Sequence, residues 1–493
     1  MLRRSRRSIG ALSLALSVSL LACAADPGAR RTRRVMSESE ELELGREAAR
    51  QVEEYLGFSG SAALNAYVDR IGQRLVKHSA RSHLAHEFHV VDMKEPNAFA
   101  LPGGFIYVSR GLLAIMNSED ELAAVLGHEI AHVAARHSAQ QQAAQRRWIP
   151  LQVLAGIGGA AASVVSPELG QVVAGAGQIP AALVMAKYSR KQEQEADRLG
   201  QQYVAADGWD PAALGDCMDA LTREQELAAA GDPNRMSFFD SHPTTPSRAR
   251  DGREYAATLE VAEANRIATD RSAFVGRLDG LVVGESARGG VFLDHRFVHP
   301  ELEFAIDFPN DWEHANAPTA VVAQPVDRSA LLALQVAAEG DDPAVVADEI
   351  EREVPLQERR ATTINGLPAV SAVARGVDDG QEIYVSLTWV AKDGLVYQVL
   401  GAAPAQRWNE HRDAFEATAK SFRQASERDL QELHEDRLRL VTAKPGETAA
   451  QIVKRSASQW PATKVAAANA IEEGARLSGG EAVKVSKRER YQP

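Results

Sequence analysis

The chain has 493 residues, of which 45% are hydrophobic and 25% charged, with a formal net charge of -12. That length exceeds a single domain, and the balance is that of a globular protein and not of a disordered or membrane-embedded one. The acidic charge argues against general binding to nucleic acid, which needs a basic footprint, and two cysteines, Cys23 and Cys217, are too few for a disulfide framework.

At the start of the chain, Arg3, Arg4, Arg6 and Arg7 precede a short apolar run, Ile9 to Leu21. The run has the pattern of a signal peptide and is too short for a permanent membrane span. Leu20-Leu21-Ala22-Cys23 resembles the lipobox of bacterial lipoproteins. That implies a signal peptide over 1–22, acylation at Cys23 and a polar tether over 23–38, with Ala24 in place of Asp directing export to the outer membrane. More than one acyl chain makes a stable anchor, at about 0.8 kcal/mol per buried CH2. Cys217 reads as a small buried apolar residue on a helix.

Apolar spacings of three and four predict helices over Glu40–Leu56 and Ala62–Ser79, and β-branched and aromatic runs predict strands at Phe88–Val91 and Phe105–Val108. Ser118 and Glu121 form a capping box that opens a helix running to about His137. The Gly-, Ala- and Val-rich stretch Ile149–Ala186 is broken by Pro167 and Pro180, so it reads as buried or lid-like helices. Another helix spans Ser189–Ala206, and helical segments continue to Phe274. Residues 276–296 read as a linker.

From Phe297 the pattern alternates, and Ala391-Lys392-Asp393-Gly394 between two apolar runs marks a hairpin. With a closing helix over Gln406–Ser421, residues 297–425 form a small α+β domain without an evident catalytic constellation. A charged helix over 426–437 then leads to a final module over 438–487.

The chemistry concentrates at His128-Glu129-Ile130-Ala131-His132. A spacing of four places both imidazoles on one helix face, where they can share a zinc ion, and Glu129 lies beside them as general base. Zinc lowers the pKa of a bound water to about 7. Glu193 and Asp197 are likewise one helical turn apart. Glu193 is the expected third ligand, and Asp197 the expected hydrogen-bond partner of a ligating imidazole. His137 and Glu195 read as surface residues.

Four motifs then resemble metallopeptidase family 48, the HtpX/Oma/BepA-like gluzincins, over about Ser37–Phe274. They are Asn97-Ala98-Phe99-Ala100-Leu101-Pro102-Gly103-Gly104 with the strand after it, the HExxH helix, the Glu193…Asp197 helix, and Ser241-His242-Pro243-Thr244-Thr245-Pro246-Ser247-Arg248. The resemblance implies that Gly103, Gly104, Phe105, Ile106 and Tyr107 edge the cleft, where an extended substrate adds as a strand. It also implies that His242 and Arg248 lie near the metal. There they polarise the carbonyl or stabilise the oxyanion, or His242 caps the zinc and keeps the enzyme latent. The terminal stretch, with Pro445-Gly446-Glu447-Thr448 and Leu477-Ser478-Gly479-Gly480, looks like a degenerate LysM module and implies a peptidoglycan contact.

The expected fold class is therefore α+β. A mostly helical gluzincin protease domain (39–275) with a small edge sheet precedes the small α+β domain and a βααβ LysM-like module. The expected function is a zinc endopeptidase, with one Zn2+ per chain, acting on misfolded or stalled envelope polypeptides. Its expected place is the periplasm, lipid-anchored on the inner leaflet of the outer membrane. The rival reading is a latent or non-proteolytic chaperone or assembly scaffold for outer-membrane proteins.

Overall fold

The structure is a computed structural model that describes residues 36–59, 61–140, 188–229, 238, 242, 246–317, 320–378 and 381–492. The signal peptide, Cys23, nearly all of the expected tether, the Ile149–Ala186 stretch, Ser241 and Pro243–Thr245 lie outside the described residues. The described chain is mixed α+β and divides into two compact units, one of residues 292–426 and the other of the remainder. No described helix is long and apolar enough to cross a membrane.

Helix α1 (Glu38–Leu56) begins at a capping box made by Ser37 and Glu40 and stops at Gly57, whose φ of 68° suits glycine. Helix α2 (Ala62–Val76) buries Leu64, Val68, Ile71 and Leu75 along one stripe. Strands β1 (Glu87–Val91), β2 (Ala98–Leu101) and β3 (Phe105–Ser109) make a sheet in the order β1-β3-β2, with β1 parallel and β2 antiparallel to β3. Here the expected substrate edge is corrected. Phe105, Ile106 and Tyr107 lie in the central strand, and its backbone is paired on both sides. The two edges are β1 and β2, and β2 has no second strand partner among the described residues. Gly103 and Gly104, at φ of 85° and 106°, form the turn between β2 and β3.

Ser109 ends β3 and caps the short helix α3 (Arg110–Ile115) through Leu112 N–H. Helix α4 (Glu119–Ala134) is buried on every face from Leu122 to Val133, as a helix at the centre of a domain must be. Helices α5 (Arg190–Ala206), α6 (Ala213–Ala229), α7 (Pro246–Ala256) and α8 (Arg271–Gly276) follow in this part. Cys217 is a buried free thiol on α6.

The unit of residues 292–426 is built on a fully antiparallel seven-stranded sheet. Its chain order is β4 (Val291–Leu293), β5 (Arg296–His299), β6 (Phe304–Asp307), β7 (Trp312–Ala317), β8 (Ala320–Pro325), β9 (Leu331–Glu339), α9 (Pro343–Glu353), β10 (Leu356–Ile364), β11 (Leu367–Asp378), β12 (Gln381–Lys392), β13 (Leu395–Pro404), α10 (Trp408–Ser421) and β14 (Arg423–Gln424). The large sheet runs β10-β11-β12-β13-β9-β8-β7, and a second, smaller one runs β14-β6-β5-β4. Alternate residues of β13 feed different cores. Val396, Leu400 and Ala402 join α9 on one face, and Tyr397, Val399 and Ala403 join α10 on the other.

The remaining chain returns to the first unit. The expected charged helix is shorter than its pattern suggested: α11 (Glu427–Gln431) stops, and His434–Thr442 form strand β15. Pairing along its whole length with β16 (Ala482–Arg490) supplies the backbone hydrogen bonds that local helix spacing would otherwise have taken. Between them lie α12 (Ala449–Ser456) and α13 (Ala462–Ala468), a strand–helix–helix–strand order. The expected linker is also corrected. Gly280 N–H donates to Leu438 O, Leu438 N–H to Leu281 O and Val283 N–H to Asp436 O, so this segment lies against β15. Leu438 belongs to the same core as Leu122 and Leu126 of α4.

A buried polar knot joins the returning chain to the start of α4. The fully buried Lys484 ammonium donates to Ala114 O (2.9 Å) and Met116 O (2.6 Å). Asn117 Nδ2 donates to Ala468 O, and Arg271 donates to both Asn117 Oδ1 and Asn469 Oδ1.

Candidate metal centre

Helix α4 is anchored at its first turn. Ser118 Oγ accepts from Glu121 N–H. The buried Glu119 carboxylate accepts from Tyr67 Oη (2.7 Å), Trp209 Nε1 (2.9 Å), Ile267 N (2.8 Å) and Ala268 N (2.5 Å). Two turns further along, α4 and α5 touch backbone to backbone. A Cβ at Gly200 would stand 2.8 Å from Gly127 C and 2.8 Å from His128 N, so only glycine permits the approach. The crossing sets the imidazole row of α4 against the carboxylate row of α5.

His128, His132, Glu193 and His242 all converge, each offering one ligand atom within 4.8 Å of the others. His128 Nε2 and His132 Nε2 are 3.0 Å apart, and Glu193 Oε1 is 3.4 Å from His132 Nε2. His242 Nδ1 is 3.3 Å from His128 Nε2 and 3.2 Å from Glu193 Oε1, and Phe238 stacks on its ring at 4.4 Å. Asp197 Oδ1 lies 2.9 Å from His128 Nδ1. Glu129 is wholly buried beside the group, with its Oε1 3.6 Å from His242 Nε2. Neither Glu129 oxygen has a hydrogen-bond partner among the described residues.

Arg248 lies beside the converging ligands. Its Nε and one terminal nitrogen donate to the two oxygens of Asp197, each at 2.8 Å, and its other terminal nitrogen lies 2.8 Å from Glu193 Oε2. A guanidinium so engaged neutralises and aligns the two carboxylates of α5. His137 departs from expectation. It is 1% exposed, with Nδ1 2.9 Å from His132 Nδ1, while Tyr188 stacks on His132 at 3.8 Å. Neither contact follows from spacing, because His137 lies past the end of α4 and Tyr188 is distant in sequence. The one sequence clue was a histidine one turn beyond the motif. Glu195 is half exposed, as a surface residue would be, yet it faces His137.

Burial pushes the Glu129 carboxyl up, against the pull of His242 and His128. Burial also drives His132 well below its usual range. For His128 burial works in the same downward sense, but the Asp197 carboxylate against its Nδ1 and the charge of Glu193 outweigh it and hold the group up.

These residues fit a metal ion. The Nε2 atoms of His128 and His132 face one point while both Nδ1 atoms are engaged elsewhere, so the free lone pairs share a target. Two imidazoles and a carboxylate form a donor set typical of catalytic zinc.

Fold and site together define an α+β domain with a candidate metal centre of the HExxH type. Residues 62–256 match Peptidase family M48. The chain is 29% identical over 221 residues to the beta-barrel assembly-enhancing protease of Escherichia coli K12, covering 45% of each chain. It is 35% identical over 198 residues to the mitochondrial metalloendopeptidase OMA1 of Schizosaccharomyces pombe, covering 40% of this chain and 54% of that one. With the metalloprotease YcaL of Escherichia coli K12 it shares 30% identity over 172 residues, covering 35% and 62%. The chain spans about half the length of the first two relatives.

Proposed function

We propose that the chain is a zinc-dependent endopeptidase of the bacterial cell envelope that cleaves misfolded or stalled envelope proteins. The observation that carries this reading is the convergence of His128, His132 and Glu193 around one point beside the buried Glu129. Zinc bound there would polarise the scissile carbonyl and acidify water. Glu129 takes the proton of the attacking water on a carboxylate oxygen and returns it to the leaving nitrogen. Asp197 holds His128 through Nδ1, and Arg248 keeps Asp197 and Glu193 aligned. The substrate backbone pairs with the open edge of β2. That edge borders the centre, since Ser138 Oγ meets both Ala100 O (3.4 Å) and the Tyr188 hydroxyl (2.9 Å) above His132.

The envelope setting rests on the signal-like segment and Cys23, whose acylation would hold the chain at the outer membrane's inner leaflet facing the periplasm. The name of the Escherichia coli relative, a beta-barrel assembly-enhancing protease, supports substrates from the same compartment. The strand–helix–helix–strand segment with its Gly-rich loops would contact peptidoglycan as a LysM-like module.

A second reading has its own observation. His242 Nδ1 lies among the ligand atoms, so His242 can fill a coordination place and keep the peptidase latent, leaving a chaperone or scaffold role. The test is zinc-dependent cleavage of an unfolded protein by the wild type and by Glu129→Gln. Cleavage by wild type, reduced roughly 10²–10⁴-fold in the variant, supports the peptidase. Zinc binding without cleavage by either favours latency, and His242→Ala should then release activity.

A further inference from the structure

The two ligand histidines are held by different means. His128 Nδ1 faces Asp197, a buried carboxylate that Arg248 clamps through two hydrogen bonds. His132 Nδ1 faces a second imidazole, the Nδ1 of His137, at 2.9 Å. A nitrogen–nitrogen hydrogen bond needs one donor and one acceptor. For His132 to present its Nε2 lone pair to the cation, its Nδ1 must carry the hydrogen and donate it. His137 Nδ1 then accepts, which places the His137 hydrogen on Nε2, the atom 3.6 Å from Glu195 Oε2. Tyr188, stacked at 3.8 Å with an interplanar angle of 24°, covers a face of the His132 ring and limits its rotation. The two imidazoles meet edge to face at 5.0 Å and 71°, so His137 aims its lone pair at the rim of His132 and does not stack on it.

We infer that His137 is a positioning residue for the metal: it fixes the tautomer and orientation of His132, and Glu195 holds His137 in turn. The inference rests on the reading of His128, His132 and Glu193 as ligands. Within that reading, one ligand is steered by a buried charged clamp. The other is steered by a neutral imidazole whose own support reaches solvent, because the Glu195 side chain is 52% exposed. The arm through His132 is therefore the more easily disturbed of the two.

The test is the zinc affinity of the full chain, measured by competition with a chromophoric chelator. His137→Phe keeps the ring volume and removes the acceptor. His137→Asn places an amide oxygen close to where Nδ1 stood. Removing such a support typically weakens metal binding 10–100-fold, so the Phe variant should lose about that much and the Asn variant should recover most of it. Equal affinity of the Phe variant and wild type overturns the inference. So does an Asn variant that folds yet binds no better than Phe. If the Phe variant does not fold, Glu195→Gln carries the test: a few-fold weaker zinc binding supports the chain of contacts, and unchanged affinity overturns it. Failure of the wild type itself to bind zinc overturns the reading of the whole centre and this inference with it, a result distinct from the other outcomes.

Discussion

Lys484 illustrates how much one residue far from the motif can matter to it. Its ammonium is fully enclosed and caps the carbonyls of Ala114 and Met116, just ahead of the helix that carries His128. Burial pulls its pKa well down, and the nearby Glu121 opposes that pull. Lys484→Met keeps the chain length and leaves two buried carbonyls without that donor. A buried acceptor left without its donor costs about 1–3 kcal/mol, so the urea midpoint of the full chain should fall measurably. An unchanged midpoint would mean that this knot contributes nothing to holding the start of α4. Glu119 is the contrasting case, a carboxylate that faces two backbone amides, an indole and a phenol, and whose oxygens secure the same turn from the other side.

At the scale of elements, the centre depends on how α4 crosses α5. Glycine to alanine within a helix normally stabilises by up to about 1 kcal/mol. At Gly200 the added methyl would meet the backbone of Gly127 and His128 at 2.8 Å, and backbone cannot step aside as a side chain can. Gly200→Ala should therefore separate the two helices, draw Glu193 away from His128 and His132, and lower zinc affinity at least tenfold. Zinc titration of a folded variant checks this, and undiminished binding would refute the crossing as the determinant of the site. The same scale explains why spacing does not show which strands lie at the edges of the sheet. The run Phe105–Ser109 has the strand-like sequence, but it is claimed on both sides, by β1 and by β2, and only sheet order decides which strand stays open.

For the whole molecule, residues 292–426 form an insertion in the sequence of the other compact unit. The chain leaves that unit near Val283 and re-enters near Asp436, and the two segments are hydrogen-bonded side by side. Such neighbouring ends suit an inserted unit that folds by itself, and the insertion has two apolar cores of its own. Residues 292–426 expressed alone should fold, with a pH dependence set in part by His299. Burial lowers His299 from 6.5 to about 4, and its Nδ1 accepts from Leu302 N–H, a role that only the neutral ring can fill. The unfolded chain therefore takes up the proton first. Stability is complete above pH 6.5 and is lost as the pH falls toward 4. Unfolding midpoints across that range, for wild type and His299→Asn, check it. Equal slopes for the two would remove His299 as the cause.

Much of the centre is legible without any structure because helical geometry is local. The His128–His132 and Glu193–Asp197 spacings, together with the Ser118 cap, depend only on near neighbours, so the two rows of side chains can be read directly from the sequence. The hairpin at Asp393-Gly394 is local in the same way, as both residues take the positive φ its turn requires. The burial of His137 under Tyr188, the commitment of Arg248 to carboxylates on another helix, and the place of β2 at an edge of its sheet are different. So is the return of His434–Thr442 as a strand against residues 280–283. Each of these depends on segments far apart in the chain, and a backbone or side-chain group goes to whichever partner the packed core brings within reach. Only the tertiary structure decided those, because hydrogen bonding is settled by distance in space and not by distance along the sequence.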